Sequence, residues 1–406
     1  MASVSLVLGI AFVAALFMSF TVGANSNSAP VAPAVGANAL PVLRAALLVG
    51  VVAALGAVLQ GGSISETIGK NLVTGVSITP LAAAVALITS ATLITVGNSR
   101  GYPIPSAFTV TGSIVGAGIA LGGGFATHEY VTIVGFWLVI PVANAALGYL
   151  IARALRSDAL DEAVGVPLLA GGVGYAVANI GLSVLPAPNG ESGSIAGTLA
   201  ARFALLPTHV VGQYSLGMVA VSAVVGASAL GVTRWQLRKN QTVGINRFLI
   251  ALGLLVVFTS GGTQVGLATG PLETVFASDL HVSSVYLLAL GGVGILAGAW
   301  IRSPRVIQAV SNEYASLGPR RSIAALIPAF LIAQLAIVLG IPISFNKVMI
   351  SSIVGSGLVA SSSSGGGVSP RKAGFTVLSW VGSMGGASLI SYGLYVALTF
   401  VPGLGS

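Results

Sequence analysis

Along almost its whole length the chain alternates long apolar runs with short polar interruptions. The runs are about 20 residues long, which is what a helix needs to cross a hydrocarbon core. They predict twelve crossings, near residues 3–36, 39–60, 78–97, 103–123, 130–152, 163–185, 208–232, 246–276, 281–301, 322–340, 342–361 and 373–400. The first and eighth are interrupted by stretches rich in small and polar residues. Residues 186–206 and 303–320 read as polar connectors or interfacial helices, and "SSSSGGG" (361–367) reads as a flexible loop. The predicted class is an all-α polytopic membrane protein with no soluble domain.

Composition agrees. The 406 residues are 55% hydrophobic and 6% charged, whereas a soluble domain carries about 25% charged residues. Cysteine is absent, which excludes disulfides and thiolate metal sites. The first apolar run has no basic residues ahead of it and is long for a signal-peptide core, so it reads as a permanent span. The net charge of +8 does not imply nucleic acid, because basic residues mark the cytoplasmic loops of membrane proteins. With the N-terminus outside, the cytoplasmic loops collect Arg44, Arg100, Arg153, Arg156, Arg234, Arg238, Lys239, Arg247, Arg302, Arg305, Arg320, Arg321, Arg371 and Lys372. These are 14 of the 17 basic residues, against Lys70 and Arg202 outside. Both termini are then expected outside, in the cytoplasmic membrane. The remaining basic residue, Lys347, is assigned to a crossing.

The pattern also repeats. "GYPIPSAFTVTGSIVGAG" (101–118) aligns with "GIPISFNKVMISSIVGSG" (340–357) at an offset of 239, and "VGANSNSAPVAPAVG" (22–36) with "SGGTQVGLATGPL" (260–272) at an offset of 238. Crossings 1–4 and 8–11 therefore read as two copies of one unit. Their starts are an odd number of crossings apart, so the copies are inverted, as in many secondary transporters. This divides the chain into a first repeat (1–125), middle spans (126–244), a second repeat (245–365) and a C-terminal span (366–406).

Each copy is expected to contain two breaks. One covers Gly23–Gly36 or Gly261–Gly270, where Gly, Asn, Ser and Pro are too dense for a continuous helix. The other follows Pro103 or Pro342, as a re-entrant entry to the next helix. Irregular backbone at membrane depth is tolerated where it is buried or lines a wet cavity. The half-helix N-termini it creates suit an anion. Candidate substrate-binding residues are Asn25, Ser26, Asn27 and Ser28 in the first break, with Thr263 and Gln264 opposite. The proline-led breaks add Ser106, Thr109, Ser344, Asn346 and Lys347. Their hydroxyls and amides are neutral donors suited to a tetrahedral oxyanion, and Lys347 is an intramembrane charge.

The nine acidic residues are Glu66, Glu129, Asp158, Asp161, Glu162, Glu191, Glu273, Asp279 and Glu313. None lies within the breaks, Glu273 coming nearest, so a central proton relay or acidic cation cage is hard to build. His128, His209 and His281 read as interfacial residues. "GGVGYAVANIG" (171–181) lacks the spacing of a phosphate-cradling loop. No metal site and no cofactor are expected.

At this point the residues resemble the inorganic phosphate transporter (PiT) family. "VGANSNSAPVAPAVGANALPVLRAA" with "GGSISETIGK" is similar to its first signature block, and "GGTQVGLATGPL" to the second. "GYPIPSAF" and "GIPISFNK" are similar to its proline-led re-entrant motifs. "SPRVIQAVSNEYASLGPRRSIAALI" fits the stretch before the second of these. The resemblance covers roughly 1–125 and 245–400. It implies the inverted-repeat fold and anion transport. The family block reads G-A-N-D-x-A-N; here Asn25 is kept, but Ser26 takes the aspartate position and Ala29 that of the second asparagine. The second copy has Thr263, Gln264 and Leu267 at these places. The motif P-V-S-T-T-H is represented by residues 103–108 and 342–347, with Lys347 in the place of histidine. The resemblance associates the aspartates with coupling cations and the serines and threonines with phosphate. Both aspartates are absent, so sodium coupling does not carry over, and the coupling ion, sodium or proton, stays open.

The function expected is secondary active transport of inorganic phosphate or a similar oxyanion by alternating access, without enzymatic chemistry. A sulfate permease of the same family, or an uncoupled anion channel or uniporter, is the alternative. A membrane-embedded enzyme would need a His, Asp or Glu cluster at one depth, which the positions above do not supply. Expected partners are phosphate or sulfate as substrate and the lipid bilayer, with no nucleic acid; a homodimer is left open.

Overall fold

The computed structural model describes residues 2–100, 104–157, 161–186, 192–203, 209–211, 214–276, 280, 282–315, 318–359 and 370–401. Pro103, Asp158, Glu191, Asp279, His281 and the loop at 361–367 lie outside the described residues. Helix α1 (Ala2–Asn25) leads through a 3-10 turn at Ala29–Val31 into the short α2 (Ala32–Gly36). Helices α3 (Val42–Gln60), α4 (Gly62–Glu66), α5 (Pro80–Ser99) and α6 (Ser106–Ala120) complete the N-terminal region. The middle holds α7 (Thr127–Arg156), α8 (Glu162–Ala178), α9 (Ile195–Arg202) and α10 (Leu216–Lys239). The second region holds α11 (Gln241–Thr269), α12 (Ser284–Ala315), α13 (Gly318–Val338) and α14 (Phe345–Leu358), followed by α15 (Pro370–Thr399). Among the described residues, strand pairing is confined to two-stranded pieces in connectors, such as Val73–Thr74 antiparallel to Gly124–Phe125.

Nine helical segments among the described residues are long and apolar enough to cross a membrane. The other three expected crossings coincide with α6, α8 and α14, of 15, 17 and 14 residues. At 1.5 Å per residue these span about 21–26 Å, short of a ~30 Å core. Leu43, Val131, Leu138 and Val142 point outward, as lipid contact requires.

Helix ends follow local chemistry. The α11 start is capped by Asn240, whose side chain accepts from Val243 N–H at 3.1 Å. Just past the end of α13 comes Gly340, which has φ +64. There the N–H of Gly340 donates to Ile337 O and that of Ile341 to Ala336 O, the two-bond C-terminal lock that a left-handed glycine allows. This lock releases the chain into the extended stretch before α14.

Packing between helices relies on small residues, because lipid supplies no hydrophobic drive for helices to associate. Helix α1 packs on α12, and α11 on α3. Helix α5 packs on α1 and α6, and α13 on α11 and α14; α15 packs along α6, and α7 along α14. Glycines make the closest of these approaches. A Cβ at Gly23 would lie 2.3 Å from Ile295 O, and one at Gly261 would lie 2.0 Å from Ala53 O. A Cβ at Gly116 would lie 2.0 Å from Ser388 O, and one at Gly355 would lie 2.0 Å from Ala145 O.

This corrects one sequence expectation. Residues 261–269 form no break: α11 continues to Thr269 and gives way to a 3-10 turn only at Gly270–Leu272. The glycines there are contact points rather than helix breakers. Gly262 faces Gln60 Cβ, and Gly266 faces Ile64 and Ser65. The first break is real but begins later than Gly23, after Asn25.

Candidate functional site

Gln264 stands at the centre of the polar arrangement. Its position midway along a long, fully buried stretch of α11 leaves its amide no water to bond. Ser106 Oγ donates to Gln264 Oε1 at 3.1 Å, and Gln264 Nε2 donates to Ile343 O at 3.2 Å. One side chain thus joins the start of α6 to the extended residues before α14. Neither short helix has a side-chain cap: Pro105 and Ser344 hold the cap positions without capping bonds. Their first turns therefore present N–H groups and partial positive charge to this region.

The first break meets α11 one turn away. Ser260 Oγ donates to Asn27 Oδ1 at 2.5 Å. Asn27 is fully buried, and its Nδ2 has no hydrogen-bond partner. Ser26 is buried beside it, and Ser28 shares a hydroxyl–hydroxyl bond with Ser303 of α12. Other candidates are occupied locally. Asn25 Nδ2 donates to Thr21 O at 2.9 Å, Thr109 Oγ1 to Pro105 O at 2.9 Å, and Thr263 Oγ1 to Ser260 O at 2.9 Å. Asn346 and Lys347 open α14, Asn346 half-buried.

Lys347 sits in an aromatic cage. Its Nζ lies 3.3 Å from the ring centroid of Phe108 and 3.3 Å from that of Trp380, with no hydrogen-bond partner. Phe108 stacks on Trp137 at 3.7 Å, and Trp137 Nε1 donates to Pro342 O at 2.7 Å. Ring faces attract the ammonium by about 2 kcal/mol when desolvated, yet they accept none of its hydrogen bonds.

Sequence reasoning missed several polar residues at this depth. Ser260 directly precedes the "GGTQ" stretch, so its place in the repeat could have flagged it. Ser303 carried no signal, being read as part of a connector. Gln60 and Gln334 bond each other, and Gln334 also donates to Thr259 at 2.8 Å. Glu273 is buried, accepting from Ser65 at 2.9 Å and from Ser284. Among the described residues no cluster of three His, Cys, Asp or Glu could hold a metal ion.

An uncapped pair of short helix N-termini, a broken helix and neutral buried donors define a membrane transporter rather than a catalytic centre. Comparison with known proteins makes this particular: residues 22–391 match the phosphate transporter family, and the chain belongs to it. It is a multi-pass membrane transport protein, not an enzyme. A Chlamydia pneumoniae protein that carries a phosphate-permease name is 24% identical over 378 residues, covering 84% of this chain and 87% of the relative. A Pyrococcus horikoshii protein with the same kind of name is 26% identical over 364 residues, covering 84% and 86%. Among solved structures, the sodium-dependent phosphate transporter superposes with a TM-score of 0.80 at 22% identity, covering 97% of this chain and 99% of that one. That likeness establishes the fold.

Proposed function

We propose that the chain carries inorganic phosphate, or a closely similar oxyanion, across the cytoplasmic membrane by alternating access of two inverted repeats. The family and the names of its relatives support phosphate. The observation that carries the site is Asn27 Nδ2, a fully buried donor without an acceptor. Leaving such a donor unpaired costs about 1–3 kcal/mol, and a bound oxyanion would satisfy it. Gln264, Ser106 and the starts of α6 and α14 would complete the shell.

The mirrored packing supports the repeat. Exchanging α1, α3, α5, α6 and α7 for α11, α12, α13, α14 and α15 returns the helix pairs described above. Gly116 and Gly355, at equivalent positions, make equivalent approaches. Phe108 and Lys347 are also equivalent, and they touch each other, as residues beside a pseudo-two-fold axis would.

Lys347 would supply fixed positive charge, lowering the cost of bringing an anion into a low-dielectric site. Ser26 and Gln264 stand where the family pattern has aspartates, so a strict sodium requirement has no obvious ligand there. The same feature favours one second reading, an uncoupled uniporter. The test is uptake of labelled phosphate into proteoliposomes under imposed sodium or proton gradients, with sulfate as competitor. Accumulation above the external concentration supports coupled transport, and equilibration only supports the uniporter. Absence of saturable phosphate uptake under every gradient refutes both.

A further inference from the structure

Among the described residues, Glu273 is the only buried acid. It directly follows the 3-10 turn Gly270–Leu272 that ends α11. Nine positions separate it from Gln264, about 14 Å along a helix. Ser65 Oγ of α4 donates to its Oε2 at 2.9 Å, and Ser284 Oγ, at the start of α12, donates to its Oε1. The chain closes tightly over it. Residues Thr67–Asn71 form a π turn, a rare geometry that is frequent at functional sites. A Cβ at Gly69 in that turn would lie 2.3 Å from Gly270 O and 2.6 Å from Glu273 Cβ. Thr274 Oγ1 donates to Gly69 O at 3.1 Å. The charges on the neighbouring elements lie outside this pocket. Glu66 and Lys70 are exposed and pair with each other at 3.3 Å, and Tyr286 of α12 is exposed. Arg247 is near the opposite end of α11, and Arg302, Arg305 and Glu313 are in the far half of α12. Helix α5, packed on the 3-10 turn, carries no titratable residue.

An ionisable side chain buried in a membrane protein is a functional group by default. Glu273 is held by neutral partners that suit both of its states, because a hydroxyl can donate to a carboxylate and accept from a carboxylic acid. A hard cation takes about six oxygen ligands, and the side chains here supply one carboxylate and two hydroxyls. The pocket is also joined to the polar site. Ser63, on the same short α4 as Ser65, donates to Ile337 O at 2.7 Å. That carbonyl also accepts from Gly340 N–H, in the lock that sets the extended stretch before α14. Ile343 O in that stretch holds Gln264. A change at Glu273 therefore reaches the wall of the polar site through one five-residue helix.

We propose that Glu273 binds the proton that drives anion uptake: one carboxylate oxygen takes a proton from the side the anion leaves, and the O–H bond breaks on the side where the anion is released. This rests on the reading of the chain as a coupled phosphate transporter. The test uses the purified full chain in proteoliposomes with the membrane potential clamped at zero, and it has two readouts. One is exchange of labelled phosphate at equal concentration and pH on both sides, which needs no coupling. The other is accumulation when the outside is about two pH units more acid, a gradient that at one proton per anion sustains up to ~100-fold. The wild type should do both. Glu273→Gln should keep exchange and lose accumulation, and Glu273→Ala decides if the glutamine variant does not fold. Glu66→Gln, Asp279→Asn and His281→Gln should accumulate phosphate as the wild type does. Accumulation retained without Glu273, equal loss in a control, or loss of exchange together with accumulation overturns the proposal. So does wild-type accumulation driven by sodium alone, or exchange without accumulation under any gradient. Absence of phosphate exchange in the wild type is the separate result that refutes the transport reading itself, and this proposal with it.

Discussion

At the scale of the residue, Gln264 and Lys347 separate packing from transport. Gln264→Leu keeps the volume close but leaves Ser106 Oγ and Ile343 O without their buried partner. Each lost bond costs about 1–3 kcal/mol, which is a ~10- to 100-fold change if it is felt in substrate affinity. Saturable phosphate uptake should fall by at least that factor while the protein still elutes as a folded species; unchanged uptake would assign Gln264 to packing. Lys347→Met preserves length and much of the contact with Phe108 and Trp380 and removes only the terminal amine. We expect the half-saturation concentration for phosphate to rise ~10-fold or more, with Arg234→Met as an unaffected control, since a buried charge acts at several times the strength of a solvated one. An unchanged half-saturation constant would make the cage a structural anchor. In the wild type, a steep sodium requirement would argue against Lys347 standing in for bound cations.

Between helices, the decisive residues are glycines. Gly261→Ala puts a methyl group 2.0 Å from Ala53 O, and overpacking of this kind costs about 1–3 kcal/mol. Gly135→Ala meets nothing within 4 Å and should gain about 0.5–1 kcal/mol from reduced backbone freedom. Thermal unfolding should therefore move down for the first and stay level or rise for the second. Matching losses for Gly116→Ala and Gly355→Ala, which would meet Ser388 O and Ala145 O at 2.0 Å each, test the equivalence of the two halves. These positions also mark what the sequence could and could not reveal. Apolar runs of about 20 residues placed the helices, and Pro103 and Pro342 foretold the extended entries to α6 and α14. The glycines of 261–270 were ambiguous, because glycine serves both to break a helix and to bring two together. Only the partner helix decides between these roles, and Ala53 is more than two hundred residues away in the chain. The Ser260–Asn27 bond and the cage around Lys347 were illegible for the same reason. Each joins residues from segments far apart in the chain, and nothing local in the chain encodes such a meeting.

For the whole molecule, the charge distribution makes the sharpest demand. The proposed inverted repeats would present each half to the membrane in the opposite sense, so packing alone cannot say which face is inside. Basic residues can, because they resist translocation and collect in cytoplasmic loops. Arg156, Arg320 and Arg321 line one cleft at the ends of five helices, so these three arginines share one face. Arg234, Arg238 and Lys239 close α10 immediately before α11 begins, and the charge reading puts them on that same side. The chain has no cysteine, so single cysteines can be introduced without background. In intact cells, a membrane-impermeant thiol reagent should leave a cysteine at Lys239 unmodified and should modify one at Ser406. Permeabilising the cells should expose Lys239→Cys to the reagent. Labelling at 239 in intact cells, or protection at 406, would invert or break the orientation.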